Sequence, residues 1–185
     1  MFLLKLIVES LWYFLPVLIA SQFIGFFRKI NLPLMAKPIN KNWFGQNKTW
    51  GAYYAGAIGA ILAIYLQRQI PAWNSAIGLF DYSRNDLWLV GLRFGVGAVL
   101  GDHIKSFIKR RRGIYPGVSW FPWDQIDATV GGIILASPMT GWMGTSLIDW
   151  VAWVRLLILL ILMAYLIHPI GNWLGFLLGL RKTPS

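Results

Sequence analysis

The sequence predicts an all-α protein that crosses a membrane about five times. Of its 185 residues, 57% are hydrophobic and only 13% are charged, and the mean hydropathy is +0.56. Eleven tryptophans add the aromatic side chains that anchor helices at both membrane surfaces. A soluble globular domain carries more charge, about 25% of its residues. This composition therefore excludes a soluble globule and indicates a multi-pass membrane protein.

Five apolar runs approach the ~20 residues that a membrane-spanning helix needs. The first follows Lys5 and Glu9, which lie one helical turn apart and can form an ion pair. The third contains Arg93 and Asp102, and we expect both charges to face protein or water instead of lipid. The fifth is interrupted by Pro169, which either kinks the helix or turns its end along the membrane surface. In chain order the runs cover residues 10–27, 51–67, 86–107, 128–148 and 150–180.

The basic residues predict how the chain is oriented. The net charge is +10, and 12 of the 17 lysines and arginines lie in the loops 28–50 and 103–127 or in the C-terminal tail. Because basic loops stay in the cytoplasm, we expect both loops and the C-terminus there and the N-terminus outside. This explains the positive charge without a nucleic-acid partner. We expect residues 1–185 to form a single domain in the cell membrane, since no linker divides the chain.

Glycines recur at four-residue spacing in two of the predicted helices. Such spacing lets helix backbones approach closely, either among the five helices or in a homodimer. The glycines concerned are Gly91/Gly95, Gly97/Gly101 and Gly171/Gly175/Gly179. The sequence contains no cysteine, which excludes disulfides, thiolate metal sites and cysteine nucleophiles.

Charged residues cluster between positions 102 and 127, where three of the seven acidic residues and five basic residues lie. If the third helix continues past residue 107, one of its faces carries a carboxylate, a hydroxyl and two cations. The residues on that face are Asp102, Ser106, Lys109, Arg110 and Gly113. Asp124 and Asp127 lie three residues apart at the start of the fourth helix, so they share one side of it. Two helix ends thus offer three carboxylates to one another.

Carboxylates beside so many cations have three interpretations. They form a structural network of salt bridges, a pathway for cations, or a site where Mg²⁺ holds a phosphate chain that lysines and arginines neutralise. Oxygen ligands in a chain without thiols favour Mg²⁺ among the metals. The spacing of the residues leaves all three interpretations open.

A second polar segment, GQNKTWG at residues 45–51, lies at the start of the second helix. Backbone N–H groups at a helix N-terminus, together with Lys48 and the Thr49 hydroxyl, predict an anion site. Helix capping by Asn47 or Thr49 explains the same residues equally well. The segment is not a P-loop, because its leading glycine does not fall at the required spacing.

The motifs of this chain resemble those of CTP-dependent lipid cytidylyltransferases, and most of all the CDP-archaeol synthases, small five-helix relatives of CDP-diacylglycerol synthase. Four segments in the same order carry the resemblance: NKTW (47–50), GDHIKSFIKR (101–110), PWDQID (122–127) and LGLRKTP (178–184). The resemblance implies transfer of CMP from CTP to the phosphate of a two-chain glycerol lipid, with Mg²⁺ as cofactor and release of pyrophosphate. Family members usually carry acidic residues where this chain has Asn40 and Val118.

The resemblance also implies roles for individual residues. The expected Mg²⁺ ligands are three carboxylates, Asp102, Asp124 and Asp127. The expected substrate-binding groups are amides, hydroxyls and cations: Asn47, Lys48, Thr49, Ser106 and Arg110. Lys109 joins the carboxylates in the catalytic set and contacts the triphosphate with Arg110. The expected partners are CTP, a phosphorylated glycerol lipid and the membrane, and the active site faces the cytoplasm.

Two other functions fit the same residues. A CTP-dependent lipid kinase of the polyprenol type would use similar carboxylates and cations but would transfer the γ-phosphoryl group. A small membrane transporter would explain why Arg93 and Asp102 lie within one helix. Product analysis with labelled CTP distinguishes the two enzymes, and flux without nucleotide turnover would indicate the transporter.

Overall fold

The computed structural model describes residues 2–30, 36–77, 81–116, 118–140 and 150–177. Every regular element in these ranges is helical, so the all-α class is confirmed. In chain order the elements are α1 (Phe2–Ile30), α2 (Lys41–Phe44), α3 (Trp50–Arg68), α4 (Pro71–Ile77), α5 (Leu87–Arg111), α6 (Trp123–Thr140), α7 (Trp150–Leu162), a π-helical turn (Met163–Ile167) and α8 (His168–Leu177).

The helices lie where the apolar runs predict them. Two of the described helices, Leu4–Arg28 within α1 and Leu87–Arg111, are long and apolar enough to cross a membrane. They coincide with the first and third predicted spans. The second predicted span corresponds to α3, and the start of the fourth lies in α6, whereas residues 141–148 of that run are outside the described residues. A shorter apolar helix, Ala152–Ile167, covers part of the fifth run.

Helix α5 lies at the centre of the bundle. It packs against α3 and α6, and α1 contacts all three of these helices. The core between them is filled by buried apolar side chains that include Tyr13, Phe14, Ile64, Phe94 and Ile133. The rings of Tyr13 and Phe94 meet edge to face with their centroids 5.1 Å apart, an arrangement that aromatic rings prefer. This core sets the position of α5, and with it the position of the charged residues at its end.

Glycines let the backbone of α5 come into contact with the backbones of α3 and α6. A Cβ on Gly91 would lie 2.6 Å from the Cα of Ile61 in α3. On another side of α5, a Cβ on Gly97 would collide with the backbone carbonyl of Gly131 in α6. Small residues at such contacts let helices pack through van der Waals contact of their backbones. The glycines of α5 therefore serve packing within the chain.

A buried ion pair joins α1 to α7. The carboxylate of Glu9 lies 2.9 Å from the guanidinium of Arg155 and 3.7 Å from the ammonium of Lys5. The Glu9 side chain is only 4% exposed, and the two cations offset part of the cost of burying its charge. The predicted pair of Lys5 and Glu9 is confirmed, and Arg155 adds a partner from the other end of the chain.

The two charges within α5 have different surroundings. Asp102 forms ion pairs with Lys48 and Lys105, as expected for a charge that faces protein. Arg93 lies nine residues earlier, which is about 14 Å along the helix axis. It is half-buried, and no ion pair joins it to another residue in the described ranges.

Two helix ends differ from the prediction. Helix α5 ends at Arg111, and Gly113 follows with a φ of 71°, in the left-handed region that favours glycine at a helix C-terminus. Gly113 therefore lies outside the helix and does not share the polar face. The fifth run is disturbed earlier than predicted, since the π-helical turn Met163–Ile167 precedes Pro169. A proline ring crowds the preceding helical turn and removes one hydrogen bond, which explains the irregularity just before it.

Candidate active site

Three segments meet at one end of the helix bundle. In the C-terminal half of α5, Gly101 packs against the backbone carbonyl of Asp127, near the start of α6. The loop before α3 lies beside them, and the Lys48 ammonium donates a hydrogen bond to the Asp102 carboxylate. This packing assembles six charged residues, which we call the carboxylate–lysine cluster: Lys48, Asp102, Lys105, Lys109, Asp124 and Asp127.

Lys105 is at the centre of the carboxylate–lysine cluster. Its Nζ lies 3.1 Å from Asp102 Oδ1, 3.0 Å from Asp124 Oδ1 and 2.7 Å from Asp127 Oδ2. These are ion-pair separations, so the single positive charge of Lys105 is shared among three carboxylates. Its side chain is 14% exposed. One half-buried cation thus holds together carboxylates from two helices.

The loop before α3 holds Lys48 against Asp102. The Ile39 N–H donates to the Lys48 carbonyl at 2.9 Å, and the Trp50 N–H donates to the Lys37 carbonyl at 3.2 Å. These two bonds pair residues 37–39 with residues 48–50 and so fix the backbone around Lys48. Burial lowers the pKa of Lys48, and the Asp102 carboxylate opposes that shift. The loop therefore brings a cation to the cluster and the carboxylate helps it to keep its proton.

Lys109 and Asp124 connect the end of α5, the following loop and the start of α6. The Lys109 ammonium donates to both Asp124 oxygens, at 3.1 and 2.9 Å, and to the Val118 carbonyl at 2.6 Å. Asp124 also accepts a hydrogen bond from the Trp120 N–H at 2.6 Å. Burial by itself would raise the pKa of Asp124, but the hydrogen bonds from Lys109 and Trp120 outweigh it and lower that pKa. Asp124 therefore stays ionised at neutral pH.

The cluster is electrically balanced, since three carboxylates face three ammonium groups. Their side chains are between 8% and 31% exposed. Charges buried to this degree need partners, because an unpaired buried ion costs several kcal/mol. The network of salt bridges, one of the three interpretations of the sequence, is thus present. The same six groups also provide the charges that a metal–phosphate site requires.

The other predicted site residues lie next to the cluster in the chain. Ser106 is buried on α5, one turn after Asp102, and Arg110 is half-buried one residue after Lys109. Thr49 occupies the N-cap position of α3, but its hydroxyl makes no capping bond to the described backbone of that helix. The Asn47 carbonyl accepts a hydrogen bond from Arg28 at 3.2 Å. Of the residues predicted to bind substrate, only Lys48 is an ion-paired member of the cluster.

Comparison with protein families shows the family to which the chain belongs. The family model described as "CarS-like: CDP-archaeol synthase" matches residues 3–185, nearly the whole chain. The chain belongs to the CDP-archaeol synthase family. The predicted resemblance is therefore confirmed. The matched residues include both helices that carry the cluster.

Curated CDP-archaeol synthases are similar to this chain over most of their length. The protein of Methanospirillum hungatei is 30% identical over 155 residues, covering 79% of this chain and 87% of the relative. That of Methanoculleus marisnigri is 30% identical over 145 residues, covering 76% and 80%. That of Methanoregula boonei is 32% identical over 139 residues, covering 72% and 78%. No solved structure matches the chain.

Membership of the CDP-archaeol synthase family defines the reaction class. The protein is a membrane-bound, CTP-dependent lipid cytidylyltransferase that transfers CMP to the phosphate of a two-chain glycerol lipid. It therefore acts in phospholipid biosynthesis. The family match gives no support to the lipid-kinase and transporter interpretations.

The site residues predicted for this member of the CDP-archaeol synthase family do not include Lys105, although Lys105 belongs to the cluster. It lies three residues after Asp102, so both occupy one side of α5. This spacing was the available signal, and the two side chains do pair, at 3.1 Å. The contacts of Lys105 with Asp124 and Asp127 have no such local signal, because they cross from α5 to α6.

The two departures from the family motif have structural roles of their own. The Asn40 side chain caps α2, since its Oδ1 accepts hydrogen bonds from the N–H groups of Asn42 and Trp43 at 3.0 and 3.1 Å. Val118 contributes its backbone carbonyl, which accepts from Lys109. A backbone carbonyl is present whatever the side chain, so this contact does not need an acidic residue.

Proposed function

We propose that the carboxylate–lysine cluster is the active site where this chain transfers CMP from CTP to archaetidic acid, the phosphate of archaeol. The observation that supports it is the convergence of three carboxylates on one ammonium, at 2.7–3.1 Å. Two further lysines stand beside them, each paired with one carboxylate. The names of the curated relatives, CDP-archaeol synthases, point to archaeol as the lipid.

The reaction requires little covalent work from the protein. An oxygen of the lipid phosphate attacks the α-phosphorus of CTP and forms the new P–O bond. The bond from the α-phosphorus to the bridging oxygen breaks, and pyrophosphate leaves with that electron pair. Positioning and charge neutralisation supply most of the catalysis in transfers of this kind. A cluster of cations at the end of a helix bundle suits both tasks.

Each predicted residue has a role in this proposal. Lys109 and Arg110 neutralise the triphosphate, and the Ser106 hydroxyl donates to a phosphate oxygen. The loop before α3 holds the nucleotide or the incoming lipid phosphate through three residues: Asn47, Lys48 and Thr49. Because Lys48 and Lys109 are already fixed in the cluster, they lose little conformational freedom when they bind phosphate.

We propose that Asp102, Asp124 and Asp127 hold Mg²⁺. Their oxygens are hard ligands, and they already surround a cation, the Lys105 ammonium. In the part of the chain that the structure describes, no three or more acidic or histidine side chains form a group that could hold a metal ion by itself. Mg²⁺ does not require one, because it keeps several waters and binds through one or two carboxylates plus substrate phosphates. When bound, the ion supplies positive charge to the triphosphate.

We propose that the cluster faces the cytoplasm and that the chain forms one membrane domain with five spans and an outside N-terminus. The 25 residues of α5 extend about 37 Å, more than the ~30 Å of a hydrocarbon core. The cluster lies in the C-terminal half of α5 and draws its other residues from the basic segments 28–50 and 103–127, which also include helical residues. The positive-inside rule supports this orientation, and CTP is then available to the site.

A product assay tests the proposed function. Purified protein is incubated with Mg²⁺ and CTP labelled at the α- or the γ-phosphate, and with acceptors from glycerol phosphate through one-chain to two-chain lipids. We expect the α-label in the lipid product, with both ether-linked and ester-linked two-chain acceptors, since an apolar groove discriminates only ~1–3 kcal/mol per methylene. Transfer of the γ-label would indicate a lipid kinase. Equal turnover with glycerol phosphate would contradict a membrane substrate.

A further inference from the structure

Lys105 differs from the other lysines of the cluster in what it contacts. Lys48 pairs with Asp102 alone, and Lys109 pairs with Asp124 alone. Among the described residues, only Lys105 contacts all three carboxylates of the proposed metal site. The catalytic roles assigned to the other residues leave Lys105 without one, although its ammonium lies where the three carboxylates meet.

The position of Lys105 conflicts with that of a metal ion on the same ligands. Mg²⁺ binds carboxylate oxygens at 2.0–2.1 Å, whereas the Lys105 ammonium stands 2.7–3.1 Å from one oxygen of each carboxylate. Two cations that share these oxygens would lie only a few ångströms apart and would repel each other strongly, since the site is partly shielded from water. The carboxylates can therefore serve one of the two cations fully, but not both.

We propose that Lys105 is a tethered counter-ion, which holds the three carboxylates together before Mg²⁺ binds and leaves them when it does. This inference rests on the proposed Mg²⁺ site. Without Lys105, three carboxylates on two closely packed helices would repel one another, so the ammonium stabilises the metal-free fold. Mg²⁺ on its own must compete with this built-in cation. Mg²⁺ that arrives with CTP brings phosphates to which the released ammonium can bind, so metal and nucleotide bind cooperatively.

The first test measures metal affinity without nucleotide. Mn²⁺ serves as the probe, and its free concentration is read by electron paramagnetic resonance with the purified protein in detergent. We expect Lys105→Met to bind Mn²⁺ at least about tenfold more tightly than the unmodified protein, because a competing charge is gone. Lys41→Met is the matched control: it removes the same charge from an exposed side chain of α2, and its affinity should not change.

The second test observes displacement in the unmodified protein and so does not depend on whether a variant folds. An amine-reactive reagent is applied with and without saturating Mg²⁺, and labelling of each lysine is quantified by peptide mass spectrometry. We expect labelling of Lys105 to increase several-fold with Mg²⁺, because its ammonium leaves a site where the side chain is 14% exposed. Labelling of Lys41 should stay constant.

The outcomes separate this proposal from the proposed function. Lys105 labelling that does not rise with Mg²⁺, or an unchanged Mn²⁺ affinity in a folded Lys105→Met protein, overturns the counter-ion role. Failure of the metal site itself has another signature: Asp127→Asn would bind Mn²⁺ as tightly as the unmodified protein. In that case both proposals are wrong. If Asp127→Asn binds Mn²⁺ more weakly but Mg²⁺ does not change the labelling of Lys105, only the counter-ion role is rejected.

Discussion

Gly101 in α5 and the backbone carbonyl of Asp127 in α6 are so close that not even a methyl group fits between them. Gly101 directly precedes Asp102, and Asp127 is itself a member of the carboxylate–lysine cluster. The contact brings the end of α5 to the start of α6, so that the carboxylates of Asp102 and Asp127 both reach the ammonium of Lys105. A packing contact between backbones thus determines the electrostatics of the site.

We expect Gly101→Ala to destabilise the fold and to reduce turnover strongly. The added Cβ must push α6 away from α5, and overpacking of this kind costs about 1–3 kcal/mol. Gly25→Ala is the matched control in another helix, because nothing lies within 4 Å of a Cβ at Gly25. Thermal unfolding in detergent and CDP-lipid formation measure the two effects. Unchanged activity in Gly101→Ala would contradict the role of this contact.

We expect Asp127→Asn to lower turnover by about 100-fold or more, because an amide cannot replace a charged metal ligand. The fold also loses stability, since removing one partner of a buried ion pair costs about 3–5 kcal/mol. Asp124→Asn should behave in the same way. Asp86→Asn is the control: its carboxylate pairs with Arg84 at 2.6 Å on a more exposed surface, where a pair contributes about 1 kcal/mol or less. Full activity in the folded fraction of Asp127→Asn would show that the metal assignment is wrong.

Single cysteines test the proposed topology, because the chain has none of its own. Ser83 lies between α4 and α5, and Ser119 lies between α5 and α6, and both are exposed. We expect a membrane-impermeant thiol reagent to label Ser83→Cys on intact cells and to label Ser119→Cys only after permeabilisation. The reverse pattern would place the carboxylate–lysine cluster outside the cell, away from cytosolic CTP.

We expect Glu9→Gln and Arg155→Met each to destabilise the protein by about 3–5 kcal/mol, since each leaves a buried charge without its main partner. The double variant should recover part of this loss, because neither charge then remains. Unfolding of all four proteins in a double-mutant cycle measures the coupling. Purely additive losses would mean that the 2.9 Å pair does not stabilise the packing of α1 against α7. Turnover per folded molecule should not change, as neither residue contacts the cluster.

The sequence by itself determined the class of the protein, the approximate positions of its helices and the residue types of its site. These features are local. Apolar runs predict where helices lie, and three- or four-residue spacing predicts which residues share a helix face. Asp124 and Asp127 were placed together in this way, and the motifs around them were enough to predict the family. The end of α5 was predicted less well, because Gly113 terminates the helix through a left-handed conformation that spacing alone does not reveal.

Only the tertiary structure decided which charges meet. Lys48 pairs with Asp102 across 54 residues, and Arg155 pairs with Glu9 across 146. Lys105 could be matched to Asp102 from spacing, but its contacts with Asp124 and Asp127 exist because glycines let α5 and α6 touch. The physical reason is that an ion pair forms only when its two groups lie within a few ångströms of each other. That separation is set by how helix surfaces fit together, and no local sequence pattern encodes this fit.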